Sequence, residues 1–174
     1  MSRADADVAR ARDERIVAWQ LGRSPRGAWR VAVRCSYGHP QVIETEPALA
    51  SGEPFPTLYY LTCPYLGRAA SEAESTGELA RFDAAARADA RFASEMRSAH
   101  EEVARRRAQL ARGADPCAGA GVAGQRDPLA TKCLHARIAA ALAGVQDPAG
   151  RAMLERVGRE CDDGRCDRKE RDGG

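Results

Sequence analysis

Long hydrophobic runs are missing from this chain of 174 residues, and their absence argues against a helical membrane protein. No stretch approaches the roughly 20 apolar residues that a transmembrane helix needs. The first residues, Met-Ser-Arg-Ala-Asp-Ala-Asp, also lack the apolar core of a signal peptide. We therefore expect a cytoplasmic protein with no membrane partner. In that compartment the six cysteines should stay reduced and serve as thiols or metal ligands rather than disulfides.

Lysine and aromatic residues are also scarce. Lysine occurs only at Lys132 and Lys169, and arginine supplies the rest of the 27 basic residues. The 25 acidic residues leave a net charge of +2 and are interleaved with the basic ones, so the charge pattern does not indicate a nucleic-acid partner. Because aromatic residues make up only 5 % of the chain, aliphatic side chains must form most of the core.

The length of the chain suffices for one domain with a hydrophobic core but not comfortably for two. A hydrophobic content of 44 % excludes disorder along the whole chain. We assign residues 14–160 to a single domain, with a flexible N-terminal segment at 1–13 and a disordered charged tail at 161–174.

Hydrophobic periodicity predicts a small sheet followed by several helices. Between Trp29 and Cys35 every second residue is large and apolar or cysteine, which is typical of a half-buried strand. Residues 41–45 and 58–61 are the expected partner strands. Predicted helices end at Leu21, begin at Pro64, cover Leu79 to Leu110, reach about Ala143, and extend from Pro148 to about Glu160. The predicted fold class is α+β, a small antiparallel sheet of about three strands packed by several helices, one of them long.

Three short segments combine cysteine and histidine at the expected ends of these elements. They are Arg-Cys-Ser-Tyr-Gly-His-Pro at 34–40, Leu-Thr-Cys-Pro-Tyr-Leu at 61–66 and Lys-Cys-Leu-His-Ala at 132–136. Element ends often meet at one edge of a small sheet, which would bring together Cys35, Cys63, Cys133 and His135. Three thiolates and one imidazole suit tetrahedral zinc. A cysteine followed by proline, as at Cys63, also occurs among the ligands of iron–sulfur clusters. We rank such a cluster below zinc because the set contains a histidine.

Two helix starts are open for the segment that carries Cys133 and His135. A start at Asp127-Pro128 would turn the two side chains about 200° apart around the helix axis, so that they could not share a ligand. A cap at Thr131 would place Cys133 in the first turn, where thiol and imidazole converge and the helix dipole lowers the pKa of the thiol. The second arrangement also allows a thiol-dependent enzyme, with Cys133 as nucleophile and His135 as base.

Other candidates have weaker support from their surroundings. His39 is an alternative base, and His100 on the long helix is a candidate to line the site. We interpret Cys161 and Cys166 as an incidental pair in the charged tail. A third class of function, a non-catalytic adaptor that binds a protein partner through the long helix, has no motif of its own.

The three cysteine-containing segments are similar to those of a known family. Together with Glu53-Pro-Phe-Pro-Thr-Leu-Tyr-Tyr-Leu-Thr, they resemble the bacterial family catalogued as domain of unknown function 501, over residues 14–155. That family is common in actinobacteria and has no assigned activity. The resemblance implies matches at Cys35, Cys133 and His135, and a position 63 that accepts cysteine or histidine. Exchange between these two residue types is typical of a zinc ligand rather than a nucleophile, so the resemblance favours the metal hypothesis.

Overall fold

The computed structural model describes residues 3–111 and 113–172, which form three β-strands, seven α-helices and a short 3₁₀ helix at Val122–Gly124. The strands are β1 (Trp29–Arg34), β2 (Pro40–Thr45) and β3 (Tyr59–Leu61). The helices are α1 (Arg3–Leu21), α2 (Pro64–Ser75), α3 (Glu78–Ala88), α4 (Ala90–Leu110), α5 (Leu134–Leu142), α6 (Pro148–Val157) and α7 (Arg165–Asp172). The predicted α+β class with one long helix, the 21-residue α4, is confirmed. Among the described helices, none is both long and apolar enough to cross a membrane.

The three strands form an antiparallel sheet in the order β1-β2-β3. Val31 pairs with Ile43, and Val42 pairs with Leu61. Half-buried and exposed residues alternate along β1, as the sequence predicts, because one face of this edge strand contacts the protein and the other faces water. Every residue of β2 except Glu44 is buried, so the central strand of the sheet is also its best covered.

The long helix predicted from Leu79 to Leu110 is two helices. Asp89 has extended backbone angles, φ −118° and ψ 111°, and separates α3 from α4. Its carboxylate accepts hydrogen bonds from the backbone N–H groups of Arg91 and Phe92, at 2.8 and 3.2 Å. Aspartate therefore acts as the N-cap of α4, and this local bond outweighs the continuous apolar periodicity.

Helices α2 and α5 pack against each other and against the sheet. Ala70 and Ala73 of α2 share one buried core with Leu134 and Ile138 of α5. The small side chains on α2 let the two helices approach closely, because there is no bulk to hold them apart. This contact fixes the end of α2 beside the beginning of α5.

Two buried arginines form ion pairs and hydrogen bonds between helices around this core and the adjoining loops. Arg107 of α4 lies 3.1 Å from the carboxylate of Asp115 and also donates to carbonyl groups of the following loop. Arg137 of α5 lies 2.8 Å from Asp147 and donates to the carbonyl of Ala130 at 2.7 Å. An unpaired charge in such surroundings costs several kcal/mol, so each pair holds its loop in place.

The N-terminal end contains helix where the sequence predicts a flexible segment at 1–13. Helix α1 begins at Arg3, although only its last part shows apolar periodicity. Ile16 and Val17 are buried, and the carboxylate of Asp13 accepts two hydrogen bonds from Arg34 at 2.6 and 2.8 Å. The second half of α1 therefore packs against the rest of the protein and is held to the end of β1. Residues 1 and 2 lie outside the described residues.

The C-terminal end also contains structure where the sequence predicts a disordered tail at 161–174. Helix α6 stops at Val157, where Gly158 adopts a positive φ of 81°, earlier than the predicted end near Glu160. The chain then continues into α7 and buries Cys161 and Cys166 on the way. Residues 173 and 174 lie outside the described part of the chain.

Candidate metal centre

The start of α5 brings a thiol and an imidazole together. The helix begins at Leu134, later than either predicted start, and Cys133 is its N-cap residue with extended angles φ −158° and ψ 121°. Within the described structure the Cys133 side chain makes no capping hydrogen bond, so the thiol is available to a neighbour. The Sγ atom of Cys133 lies 3.7 Å from Nδ1 of His135. An extended residue before the helix thus allows the convergence that a regular helix would prevent.

Helix α2 adds a carboxylate from the other side. The Oε1 atom of Glu74 lies 3.2 Å from Nδ1 of His135. One ligand atom each from Glu74, Cys133 and His135 lies within 4.8 Å of the other two. Bond lengths of about 2.3 Å for Zn–S and about 2.0–2.1 Å for Zn–N and Zn–O give tetrahedral edges of about 3.6 and 3.4 Å. We call these three residues the candidate metal centre, and the two distances from Nδ1 of His135 are close to the edges expected for tetrahedral zinc.

Ser71 fixes which nitrogen of His135 faces the other two groups. Its hydroxyl donates to the carbonyl of Gly67 at 3.1 Å and lies 3.3 Å from Nε2 of His135. Because the hydroxyl proton is already used on Gly67, Ser71 accepts a hydrogen bond from Nε2–H. The Nδ1 atom is thereby left to face Cys133 and Glu74, in the orientation that outer-shell partners usually impose on metal-binding histidines.

Electrostatics couple the three groups of the candidate metal centre. The hydrogen bond that the His135 ring donates to the Cys133 sulfur, followed by the charges of Cys133 and Glu74, raises the pKa of His135 to about 9 against the opposing effect of partial burial. Glu74 is further held by the backbone N–H of Leu134, which donates to Oε1 at 2.7 Å. That N–H is among the first of α5 and has no partner within its helix. Cys133 and Glu74 thus stabilise a proton on Nδ1 of His135, and a metal cation bound there would take the place of that proton.

A cleft of about 420 Å³ opens beside the candidate metal centre. Cys133 and His135 form part of its wall, and Arg23, Tyr60 and Lys132 contribute polar groups from other segments. The volume lies within the range of small-molecule sites. The two cations give the cleft a positive character, so it favours anionic ligands.

The four ligands predicted from sequence do not come together as one site. Cys133 and His135 lie in the candidate metal centre, but Cys63 is the N-cap of α2, eleven residues before Glu74. At 1.5 Å per residue, these two ends of α2 are about 16 Å apart. Cys35 follows β1 and lies near Cys63, whose pKa is raised mainly by burial and also by the Cys35 and Cys161 thiols. The sequence identified correct element ends but could not tell that they lie at opposite ends of one helix.

Glu74 and Ser71 are the residues that sequence reasoning missed. They lie three positions apart, so they share one face of α2. A Ser-x-x-Glu pattern is common on exposed helix faces and carries no metal signal alone. Only the packing of α2 on α5 gives these side chains a histidine to contact.

The other two histidines lie outside the candidate metal centre. His39 is buried, and its Nε2 lies 2.5 Å from Oδ1 of Asp167. Burial lowers the pKa of His100. A Cβ atom at Gly121 would come within 2.3 Å of the His100 ring, so glycine at this position allows the backbone to pack closely against α4.

Comparison with known families identifies a family for this chain. The family described as a protein of unknown function, DUF501, matches residues 31–155, most of the chain. The chain belongs to the DUF501 family. No curated protein and no solved structure matches it. The region matched to DUF501 includes Cys35, Cys63 and the candidate metal centre, whereas Cys161 and Cys166 lie beyond it. The resemblance stated from the sequence is therefore confirmed, and function has to be argued from the residues.

Proposed function

We propose that this DUF501 protein is a metal-binding protein that holds one zinc ion at the candidate metal centre. The separations of 3.7 Å between Cys133 Sγ and His135 Nδ1, and 3.2 Å between that nitrogen and Glu74 Oε1, carry the proposal. Thiolate, imidazole and carboxylate are all ligands that zinc accepts. The orientation of His135 by Ser71 supplies the outer-shell partner that such ligands have.

Three protein ligands leave a fourth coordination position for water or another ligand, which is the pattern of catalytic rather than structural zinc sites. Bound zinc would supply a Lewis acid and lower the pKa of a bound water molecule. The residues around it have roles of their own. Arg23 and Lys132 in the adjacent cleft attract an anionic ligand, and Tyr60 offers a hydroxyl for its orientation.

Zinc content tests the proposal. We expect Cys133→Ser and His135→Ala each to lose one equivalent of zinc per chain, measured by elemental mass spectrometry on protein purified without a histidine tag. Cys117→Ser is the matched control, because Cys117 is a buried thiol that donates to the carbonyl of Pro47 at 3.4 Å and takes no part in the centre. Its zinc content should equal that of the wild type. Unchanged zinc in both the Cys133 and His135 variants would contradict the proposal.

A thiol-dependent enzyme is the second candidate, and the 3.7 Å contact between Cys133 Sγ and His135 Nδ1 favours it. A charged imidazole at this distance stabilises a thiolate and makes it nucleophilic. In metal-free protein, iodoacetamide should then modify Cys133 faster than the other cysteines, while Cys117 should stay unmodified. Protection of Cys133 by one equivalent of zinc supports the metal proposal. Rapid alkylation that zinc does not suppress supports the enzyme instead.

A further inference from the structure

A second group of cysteines lies at the opposite end of α2 from the candidate metal centre. Its members are cysteines from three separate parts of the chain, and we name them the thiol cluster: Cys35, Cys63, Cys161 and Cys166. We propose that the thiol cluster binds a second, structural zinc ion. This site would tie the turn after β1 and the start of α2 to the C-terminal segment.

Cys161 is held beside the turn that begins at Cys35. The carboxylate of Glu160 accepts hydrogen bonds from the backbone N–H of Ser36 at 2.7 Å and from its hydroxyl at 2.6 Å. On the other side of Cys161, the next carbonyl along the chain accepts from the hydroxyl of Tyr37 at 3.0 Å. Cys161 is therefore bracketed by two attachments to the residues that directly follow Cys35.

Cys63 and Cys166 approach the same place from other directions. The backbone N–H of Cys63 donates to the carbonyl of Gln41 at 3.3 Å. The Sγ atom of Cys166 accepts from Nε2 of Gln20 at 3.5 Å, and the same amide nitrogen donates to the carbonyl of Pro40 at 2.8 Å. Both cysteines thus lie around the first two residues of β2. The antiparallel pairing of Arg34 with Pro40 brings Cys35 to this point as well.

Burial separates most of the thiol cluster from water. Cys63, Cys161 and Cys166 are 7, 9 and 7 % exposed. Burial raises the pKa of the Cys63 and Cys166 thiols. Three of the four thiols are therefore largely removed from water, and a divalent cation would stabilise the cluster as thiolates.

His39 provides an independent observation at this place, a buried ring nitrogen without a partner in the described structure. Its side chain is 1 % exposed, Nε2 lies 2.5 Å from Asp167, and Nδ1 has no hydrogen-bond partner among the described residues. Buried polar atoms are rarely left unpaired. His39 comes four residues after Cys35, and Asp167 directly follows Cys166. The unpaired Nδ1 atom of His39 would gain a partner if a metal-bound thiolate were held beside it.

The sulfur atoms of the thiol cluster are more widely spaced than the ligand atoms of the candidate metal centre. Among the described residues, the ligand atoms of the candidate metal centre lie within 4.8 Å of one another, and those of the thiol cluster do not. Rotation about χ1 displaces a cysteine sulfur by about 3 Å between staggered rotamers. A zinc ion at this site would draw the four thiolates together by side-chain rotations of this kind. The backbone attachments of the three chain segments would stay as they are.

Zinc stoichiometry of the full chain tests the proposal. We expect two equivalents of zinc per chain in the wild type and in Cys117→Ser. The double variant Cys161→Ser/Cys166→Ser should retain one equivalent, held at the candidate metal centre, and His135→Ala should retain one at the thiol cluster. Two equivalents in the double variant, or none in His135→Ala, would overturn the second site. Loss of zinc from the double variant alone, with His135→Ala unchanged from the wild type, would instead overturn the candidate metal centre.

X-ray absorption at the zinc edge keeps the proposal testable if the double variant does not fold. In zinc-loaded His135→Ala the thiol cluster is intact, so the zinc should show a shell of four sulfur atoms at about 2.3 Å. A shell dominated by nitrogen or oxygen at about 2.0–2.1 Å would overturn the proposal.

Discussion

Ser71→Ala removes the hydroxyl that orients His135 without touching a ligand of the candidate metal centre. Outer-shell partners of metal ligands usually contribute 10- to 100-fold to metal affinity. The contact between Ser71 Oγ and His135 Nε2 is long, 3.3 Å, so we expect a loss near the lower limit, about 10-fold or 1.4 kcal/mol. Ser71 is exposed, and alanine is a better helix former than serine. The stability of the metal-free protein should therefore change by less than about 0.5 kcal/mol.

Competition with a fluorescent zinc chelator measures this loss. Ser75→Ala is the matched control, because Ser75 lies on the same helix and its hydroxyl donates to the carbonyl of Glu72 at 2.7 Å, but it has no contact with His135 in the described structure. Its zinc affinity should equal that of the wild type. Equal affinities for all three proteins would refute the argument that Ser71 selects the nitrogen facing the metal. An equal loss in Ser75→Ala would show that the effect comes from α2 as a whole.

Three further predictions concern stability, measured by urea unfolding of metal-free protein. Asp89→Ala removes the N-cap of α4 and should cost about 1 kcal/mol, and an unchanged midpoint would contradict the cap as the reason for the helix break. Asp147→Ala leaves Arg137 buried and unpaired and should cost about 3–5 kcal/mol, and a loss below 1 kcal/mol would contradict the importance of that pair. Burial would raise the pKa of Glu78, but hydrogen bonds from Arg156 and Arg81 outweigh burial and lower the pKa. The ionised Glu78 side chain therefore contributes fully to the free energy of unfolding above the unfolded pKa of about 4.3. This contribution disappears as the pH falls through the lower pKa of the folded state. Glu78→Gln should thus be about 1 kcal/mol less stable than the wild type at neutral pH, with the difference vanishing in acid, whereas a constant difference would contradict this linkage.

Local patterns account for most of the fold that the sequence predicted. Alternation from Trp29 to Cys35 identified β1, and Pro64 placed the start of α2 correctly, because both signals depend on neighbouring residues only. The break at Asp89 had a local signal too, an aspartate that can cap, but the apolar periodicity continues across it. The C-terminal segment could not be predicted, since its charged composition is typical of disorder and its attachments to residues 36–41 are long-range.

The candidate metal centre was predictable only in part, because it combines a local pattern with a long-range contact. Cys133 and His135 stand two positions apart, and their convergence needs only the helix to begin after Cys133. Glu74 reaches them through the packing of α2 on α5, which no local pattern encodes. The grouping of Cys35 and Cys63 with Cys133 was an assumption about a sheet edge. The length of α2 separates Cys63 from Cys133 and His135 instead.

Anomalous diffraction at the zinc absorption edge tests the central claim most directly. Crystals grown with two equivalents of zinc should show a peak about 2.0–2.3 Å from Cys133 Sγ, His135 Nδ1 and Glu74 Oε1. His135→Ala crystals, grown in the same way, should lack this peak. A wild-type map without a peak among these three atoms, with Cys133 and His135 in direct contact instead, would contradict the account.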